Sequence, residues 1–169
     1  MSNKDYSNKD ALKIALNIEK DGYDFYEAAA VKAKDEKVKK IFLMLANEEK
    51  RHLVWIRKIQ DGLVNPMDYF ISDEALVEDY LRRIIETRVF DTIDDVNKVM
   101  EDVKTDKDAI RLAMQFEKDS MDFFVKMSEL TRNPDGQAAF KKLAGSEEHH
   151  LMELKRLQDN IANLENAIK

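Results

Sequence analysis

The chain of 169 residues contains no cysteine, only four glycines and only two prolines. The absence of cysteine excludes disulfides, thiol chemistry and cysteine-ligated metals within this chain. Because glycine and proline are scarce, there are few positions at which a helix would break, and the apolar residues recur at intervals of three and four instead of two. The sequence therefore predicts an almost entirely α-helical protein.

Long apolar runs and basic clusters are also missing. The longest uninterrupted apolar stretch, residues 41–46, is too short to span a bilayer. The first ten residues, MSNKDYSNKD, lack the apolar segment of a secretory signal, so we expect a cytoplasmic protein. The formal net charge of −6, from 28 basic and 34 acidic residues, argues against a nucleic acid or an anionic membrane as partner.

Helix start and stop signals divide the chain into two long helical hairpins. Ser7 and Asp10 resemble a capping pair before the first helix, and the second helix should end near Gly62. Thr105 and Asp108 form a second capping pair, before a helix that should end near residue 130. The turn signal NPDG at residues 133–136 precedes the last helix.

The segment between the hairpins should contain two shorter helices, opened by Ser72 and Thr92. With 44% apolar residues, a chain of this length suits one domain with one sizeable core. We therefore predict a single domain in which hairpin 1 covers about 8–62, the crossover about 63–105 and hairpin 2 about 106–168.

An internal repeat relates the two hairpins. Residues 11–62 align with residues 109–160 without a gap, at an offset of 98 that holds throughout. ALKIALNIEKDGYDFY aligns with AIRLAMQFEKDSMDFF, and FLMLANEEKRHL aligns with FKKLAGSEEHHL. A duplication of this kind predicts that both hairpins have the same structure.

Each long helix carries an acidic residue in the middle of its apolar stripe, where a core-facing side chain is expected. In the second helix of each hairpin, a histidine follows the acidic residue by three positions and lies on the same helix side. These inward-facing polar groups are six in all: Glu19, Glu49, His52, Glu117, Glu147 and His150.

The positions of the four glutamates place them at one level. Glu19 and Glu49 are equidistant from residue 34, in a short polar turn predicted around Lys34 and Asp35. Glu117 and Glu147 are equidistant from residue 132, at the turn predicted before the last helix. Each pair should lie about 22 Å from its turn, near the middle of its helices. If the hairpin turns lie at opposite ends of the bundle, which the long crossover permits, all six groups meet.

Burying several unpaired carboxylates would cost several kcal/mol each, so a purely structural, hydrogen-bonded role for the six groups is the weaker alternative. Two divalent cations would balance the four negative charges. A site of carboxylates and imidazoles with open positions suits iron or manganese, and zinc remains an alternative. The pattern therefore predicts a dinuclear metal site.

The two Glu-x-x-His pairs, Glu49/His52 and Glu147/His150, each preceded at the same interval by a further glutamate, resemble the di-iron site of the rubrerythrin branch of the ferritin-like superfamily. The resemblance covers both hairpins, about 104 of 169 residues. It implies a ferritin-like four-helix bundle of two repeated hairpins, joined by a long, partly helical crossover. Glu49 and Glu147 would bridge two irons, each histidine would bind one iron, and Glu19 and Glu117 would be terminal ligands.

The resemblance also implies an oxidoreductase of oxidative-stress defence that reduces hydrogen peroxide or dioxygen. Rubrerythrins usually carry a further inward glutamate one turn after the third-helix ligand, but Ser120 stands there, and its repeat counterpart is Gly22. This chain also lacks the cysteine-ligated rubredoxin iron, so electrons would come from a separate donor, such as a rubredoxin-like protein. A ferritin-like iron store and a non-catalytic, metal-stabilised helical module are the alternatives, and we expect a homodimer.

Polar and aromatic residues near the six groups receive simpler interpretations. Glu48, Glu148 and His149 lie off the apolar stripes and should be solvated, with a hydrogen bond to a metal ligand as the alternative for His149. Tyr23 and Tyr26 should belong to the core, with a hydroxyl hydrogen-bonded to a ligand glutamate as the alternative.

Overall fold

The structure is a computed structural model that describes residues 8–61, 79–83, 96–131 and 134–167. Residues 79–83 are helical, and the described part of the chain contains no β-strand. No described helix combines the length and apolar character needed to cross a membrane. The all-α prediction is confirmed by five helices with defined bounds: α1 (Asn8–Lys32), α2 (Glu36–Gln60), α3 (Val96–Asp102), α4 (Asp106–Leu130) and α5 (Pro134–Ala167).

The capping pair predicted for α4 is present. The Thr105 side chain accepts a hydrogen bond from the Asp108 backbone N–H at 3.2 Å, and the Asp108 carboxylate accepts one from the Thr105 N–H at 3.0 Å. Thr105 has extended backbone angles (φ −133°, ψ 160°), as expected of a residue that precedes a helix. These reciprocal bonds satisfy two backbone donors and fix the start of α4.

The predicted turn at residues 133–136 is partly wrong, because α5 begins at Pro134. Proline is favourable at the first helical position, where its missing N–H would have no partner within the helix. Its fixed φ suits the helix equally well, so the last three residues of the turn signal form the first turn of α5. Ser7, Gly62, Ser72 and Thr92, which mark other predicted boundaries, lie outside the described residues.

The two hairpin turns lie at opposite ends of the bundle. The backbone N–H groups of Lys34 and Asp35, in the turn between α1 and α2, donate to the Asp106 carboxylate at the start of α4, at 3.0 and 2.9 Å. The beginning of α1, at Leu12, instead shares an apolar cluster with Phe124, in the second half of α4. Helices α1 and α4 are therefore antiparallel, which is the arrangement that brings all six polar groups to one level.

Two apolar clusters fill the bundle, one on each side of this level. The first contains the start of α1, the end of α4 and the start of α5. The second contains the end of α1, the starts of α2 and α4, and the C-terminal half of α5. The largest fully buried side chains of both clusters are aromatic or long aliphatic: Phe123, Phe124, Ile56, Leu81 and Met127 in the first, and Phe25, Tyr26, Phe42, Leu45, Ile110 and Leu154 in the second.

Candidate metal centre

The structure brings all six predicted residues together between the two apolar clusters. Their side chains come from the middle of four helices: Glu19 from α1, Glu49 and His52 from α2, Glu117 from α4, and Glu147 and His150 from α5. The four glutamates are at most 4% exposed and His150 is fully buried, whereas the His52 side chain is 16% exposed. The centre is thus largely shielded from solvent, with one partly open corner at His52.

One group of possible ligands, which we call the Glu19 half-site, consists of Glu19, Glu49, His52 and Glu147. The Nδ1 atom of His52 lies 3.1 Å from Oε2 of Glu19 and 3.3 Å from Oε2 of Glu49. Its distance to Oε1 of Glu147 is 3.4 Å. One imidazole nitrogen and three carboxylates therefore face a common point.

A second group, the Glu117 half-site, consists of Glu49, Glu117, Glu147 and His150. The Nδ1 atom of His150 lies 3.2 Å from Oε1 of Glu49 and 3.3 Å from Oε2 of Glu117. Its distance to Oε2 of Glu147 is 3.2 Å. This arrangement repeats the Glu19 half-site, and the two histidine rings lie nearly parallel with centroids 5.9 Å apart.

Glu49 and Glu147 belong to both half-sites. Within each half-site, the ligand atoms all lie within 4.8 Å of one another, so each set could hold a metal ion. Glu49 directs Oε2 at His52 and Oε1 at His150, and Glu147 divides its two oxygens between the histidines in the same way. Carboxylates that are shared in this way are placed where bridging ligands of a metal pair would lie.

Two buried carboxylate oxygens indicate that the six residues are suited to bind cations. Oε1 of Glu19 and Oε1 of Glu147 are buried and accept no hydrogen bond from the described residues, although His52 Nδ1 lies 3.4 Å from the latter. A buried oxygen without a partner is costly, and a bound cation would remove that cost. The donor set of carboxylates and imidazoles is one that iron, manganese and zinc accept.

The pKa values of the cluster indicate where protons reside without a cation. Burial, followed by the nearby charge of Glu49, raises the pKa of Glu19 and of Glu147 well above the ordinary glutamate value. Burial acts on Glu49 in the same direction, but hydrogen bonds with Glu19 and the two histidines outweigh it and lower its pKa. Metal binding would therefore displace protons from Glu19 and Glu147.

His150 is held as a cation by its neighbours. Burial alone lowers the pKa of His150, but its hydrogen bonds to Glu117, Glu147 and Glu49 outweigh burial and raise the pKa well above the ordinary histidine value. A positive imidazolium thus compensates part of the carboxylate charge in the metal-free cluster.

Tyr26 contacts the centre directly, as the alternative interpretation of this residue predicted. Its hydroxyl, at the end of a buried side chain, donates a hydrogen bond to Oε1 of Glu117. Tyr23 differs from Tyr26, because it is only half-buried and its hydroxyl donates to Glu27 on the same helix at 2.7 Å. Only Tyr26, of these two tyrosines, contributes to the site.

The prediction that Glu48 is solvated is wrong. Its carboxylate lies across the hairpin interface, with Oε2 2.7 Å from Nε2 of His150, and its side chain is 26% exposed. The sequence suggested solvation because Glu48 is off the apolar stripe of α2, but the packing of α5 against α2 covers this flank. Glu148 and His149 are exposed, as predicted.

Comparison with protein-family models identifies the family. The model described as Rubrerythrin matches residues 10–158, nearly the whole chain. The chain belongs to the rubrerythrin family. The match includes all six residues of the candidate metal centre, so the resemblance seen in the sequence is confirmed. The search of curated proteins found no match for this rubrerythrin-family chain.

Two solved structures show the same fold. One is a hypothetical protein from Pyrococcus furiosus, with a TM-score of 0.65 and 23% identity over 95% of this chain and 93% of that one. The other is a two-domain protein from Anabaena variabilis that contains DJ-1/ThiJ/PfpI-like and ferritin-like domains. It has a TM-score of 0.64 and 17% identity, and the match covers 90% of the rubrerythrin-family chain but 39% of the two-domain protein. The ferritin-like fold prediction is confirmed.

Proposed function

We propose that this rubrerythrin-family protein binds two iron ions per chain and reduces hydrogen peroxide or dioxygen with electrons from a separate donor. The observation that carries the proposal is the pair of half-sites that share Glu49 and Glu147 in a buried layer. Nearly the whole chain matches the family, which supports iron over the other metals that this donor set accepts.

Each ligand has a distinct role in this proposal. Glu49 and Glu147 would be shared by the two ions, because each directs its two oxygens toward different histidines. His52 and Glu19 would complete the ligands of one ion, and His150 and Glu117 those of the other. When bound, iron would supply the one-electron redox chemistry that no protein side chain in the cluster provides.

The protein around the ligands controls access to the centre. The apolar clusters above and below it exclude bulk water, and the partly exposed His52 marks its open corner. Gly22 of α1 faces Glu49, and a Cβ added at Gly22 would lie 3.5 Å from Cγ of Glu49. At this position the backbone of α1, without a side chain, therefore forms the wall of the metal centre. A molecule as small as hydrogen peroxide or dioxygen fits such an opening better than an organic substrate does.

The reaction requires electrons and protons from outside the chain. Reduction of hydrogen peroxide breaks its O–O bond, consumes two electrons and two protons, and releases two water molecules. The chain has no cysteine and hence no rubredoxin-type iron centre, so a separate redox protein is proposed as the donor. Solvent reaches the cluster at His52 and supplies the protons.

Anaerobic iron loading followed by hydrogen peroxide tests the proposal. We expect one peroxide to oxidise two ferrous ions in the wild type, and a reductant with a rubredoxin-like mediator to restore the ferrous state over repeated cycles. Glu49→Ala should abolish turnover, while Glu148→Gln, which changes an exposed carboxylate beside Glu147, should retain it. Accumulation of iron far beyond two ions per chain, without turnover, would favour storage and contradict the proposal.

A further inference from the structure

The internal repeat is broken at two positions that contact the metal centre. Tyr26 in hairpin 1 aligns with Phe124 in hairpin 2, and Glu48 aligns with Ser146. Tyr26 and Glu48 both contact ligands of the Glu117 half-site. The residues at the related positions carry neither a phenol nor a carboxylate, so the surroundings of the two half-sites differ although their ligands match.

Glu48 holds the ring of His150. Because Nδ1 of His150 faces the three carboxylates of the half-site, its Nε2–H is free to donate to Glu48 at 2.7 Å. This bond fixes the tautomer and orientation in which Nδ1 presents its lone pair to a metal, and the carboxylate increases the basicity of the imidazole. Glu48 is itself held by Arg51, whose guanidinium donates to its other oxygen at 2.8 Å.

Tyr26 holds the second terminal ligand of the same half-site. Its buried hydroxyl donates to Oε1 of Glu117, which leaves Oε2 of Glu117 directed at His150. Oε1 of Glu19, the repeat-related atom, accepts no hydrogen bond from the described part of the chain. The terminal carboxylate of the Glu117 half-site is therefore oriented by a hydrogen bond from outside the six ligands, and no described residue gives Glu19 such a bond.

We propose that Glu48 and Tyr26 are positioning residues that make the Glu117 half-site the tighter of the two cation positions. This half-site fills first. The Glu19 half-site, to which no described residue gives either support and which includes the partly exposed His52, fills second and exchanges its ion more readily. The inference depends on one part of the proposed function, which is that the six residues bind a metal pair.

Titration of the metal-free protein with Co²⁺ tests the inference. Equilibrium dialysis would give the affinities, and the visible ligand-field spectrum would report the coordination at each step. We expect two unequal steps in the wild type. Glu117→Gln should remove the tighter step, and Glu19→Gln should remove the weaker one.

The positioning role predicts a selective effect. Glu48→Gln should weaken the tighter step by about 10- to 100-fold and leave the weaker step nearly unchanged. Tyr26→Phe, which keeps the ring in the core, should weaken the same step, and Glu148→Gln should change neither. Circular dichroism of each metal-free variant would show that the fold is retained.

The outcomes separate the inference from the proposed function. Equal steps in the wild type, or a tighter step that survives both Glu48→Gln and Tyr26→Phe, would overturn the inference while metal binding stands. Equal weakening of both steps would also overturn it, because it would show a general structural effect. A wild-type protein that binds no Co²⁺ and no Fe²⁺ would instead remove the proposed function itself.

Discussion

In the metal-free protein, the buried carboxyl group of Glu19 is a source of instability. Its side chain is buried at the level of three other carboxylates, and one of its oxygens lacks a hydrogen-bond partner among the described residues. An unpaired polar atom of this kind destabilises the fold unless a cation or a proton compensates it. The residue is therefore explained better by ligand binding than by stability.

Replacement of this carboxylate by an amide should separate the two effects. We expect Glu19→Gln to raise the free energy of unfolding of the metal-free protein by about 1–2 kcal/mol at neutral pH. Burial raises the pKa of Glu19, so folding has to protonate a carboxylate that is ionised in the unfolded chain, whereas the amide is neutral in both states. The same variant should lose most of the stabilisation that Fe²⁺ gives the wild type. Anaerobic urea unfolding with and without Fe²⁺ would measure both effects. A less stable metal-free variant with normal iron binding would contradict this role of Glu19.

The same buried charges predict how the stability of the metal-free protein varies with pH. For Glu19 and Glu147 the folded-state pKa is raised, so their contribution to stability is complete below the ordinary value of 4.5 and is lost as pH rises through the raised pKa. The raised pKa of His150 acts in the same direction, with a contribution complete below 6.5. The lowered pKa of Glu49 affects only acidic solutions.

We therefore expect the free energy of unfolding of the metal-free protein to fall between about pH 5 and about pH 8. Urea midpoints measured across this range would test the sign, with Glu19→Gln as a variant that should show a shallower decline. Saturating metal should remove the decline, because the bound ions hold the carboxylates ionised. A midpoint that increases with pH in the metal-free wild type would contradict the assignment of raised pKa values to Glu19 and Glu147.

The residues of the centre were predictable to different degrees. The six ligands could be found because each lies in an apolar stripe, where a charged side chain requires an explanation. Glu48 could not, because its partner His150 is 102 positions away and reaches it only when the hairpins pack. One signal was available: the repeat has Ser146 where hairpin 1 has Glu48, directly before a ligand glutamate.

At the scale of single elements, the capping box decides where α4 begins. Thr105→Ala removes the hydroxyl that accepts the Asp108 N–H, and should lower the free energy of unfolding by about 1 kcal/mol. Thr105→Ser retains the acceptor and should be nearly neutral. Chemical unfolding of both variants would measure the difference, and equal stability of the two variants would show that the cap contributes nothing.

The helix interiors contain two glycines whose surroundings differ. A Cβ at Gly145 would meet no atom within 4 Å, and a Cβ at Gly22 would make ordinary contact with Glu49 at 3.5 Å. Both Gly→Ala substitutions should stabilise the metal-free protein by about 0.5–1 kcal/mol, through helix propensity. Thermal unfolding would test this, and destabilisation by Gly145→Ala would be the clearest contradiction.

Iron loading distinguishes the two glycines. Gly145→Ala should leave it unchanged, since no ligand is near. Replacement of Gly22 by leucine should reduce it, because a large side chain would displace Glu49. Unchanged loading of Gly22→Leu would mean that the wall formed by the α1 backbone is not required.

A helix boundary was predicted correctly where a specific capping interaction marks it. The prediction was less accurate where only turn-forming residues mark the boundary. The Thr105/Asp108 pair located the start of α4, because the same two side chains make the bonds that the sequence suggests. Pro134 was assigned to a turn, although proline equally suits the first helical residue. The choice depends on packing against the rest of the bundle, which single residues do not encode.

At the scale of the whole molecule, the centre depends on the antiparallel arrangement of the two hairpins. The sequence permitted this arrangement through its long crossover, and the positions of the glutamates about the two turns required it if all six groups were to meet. The contact of Asp106 with residues 34 and 35 supports it. The asymmetry of the two half-sites was not predictable, because it arises from contacts between the hairpins. The homodimer and the identity of the electron donor stay predictions.

Metal content per chain, measured by mass spectrometry on protein expressed with adequate iron, tests the central claim most directly. We predict about two irons per wild-type chain, and a marked loss in Glu49→Ala, which removes a shared ligand, and in His150→Ala, which removes a terminal one. Glu148→Gln should match the wild type. A well-folded wild-type protein without bound metal would contradict the account and leave the six residues as a hydrogen-bonded core.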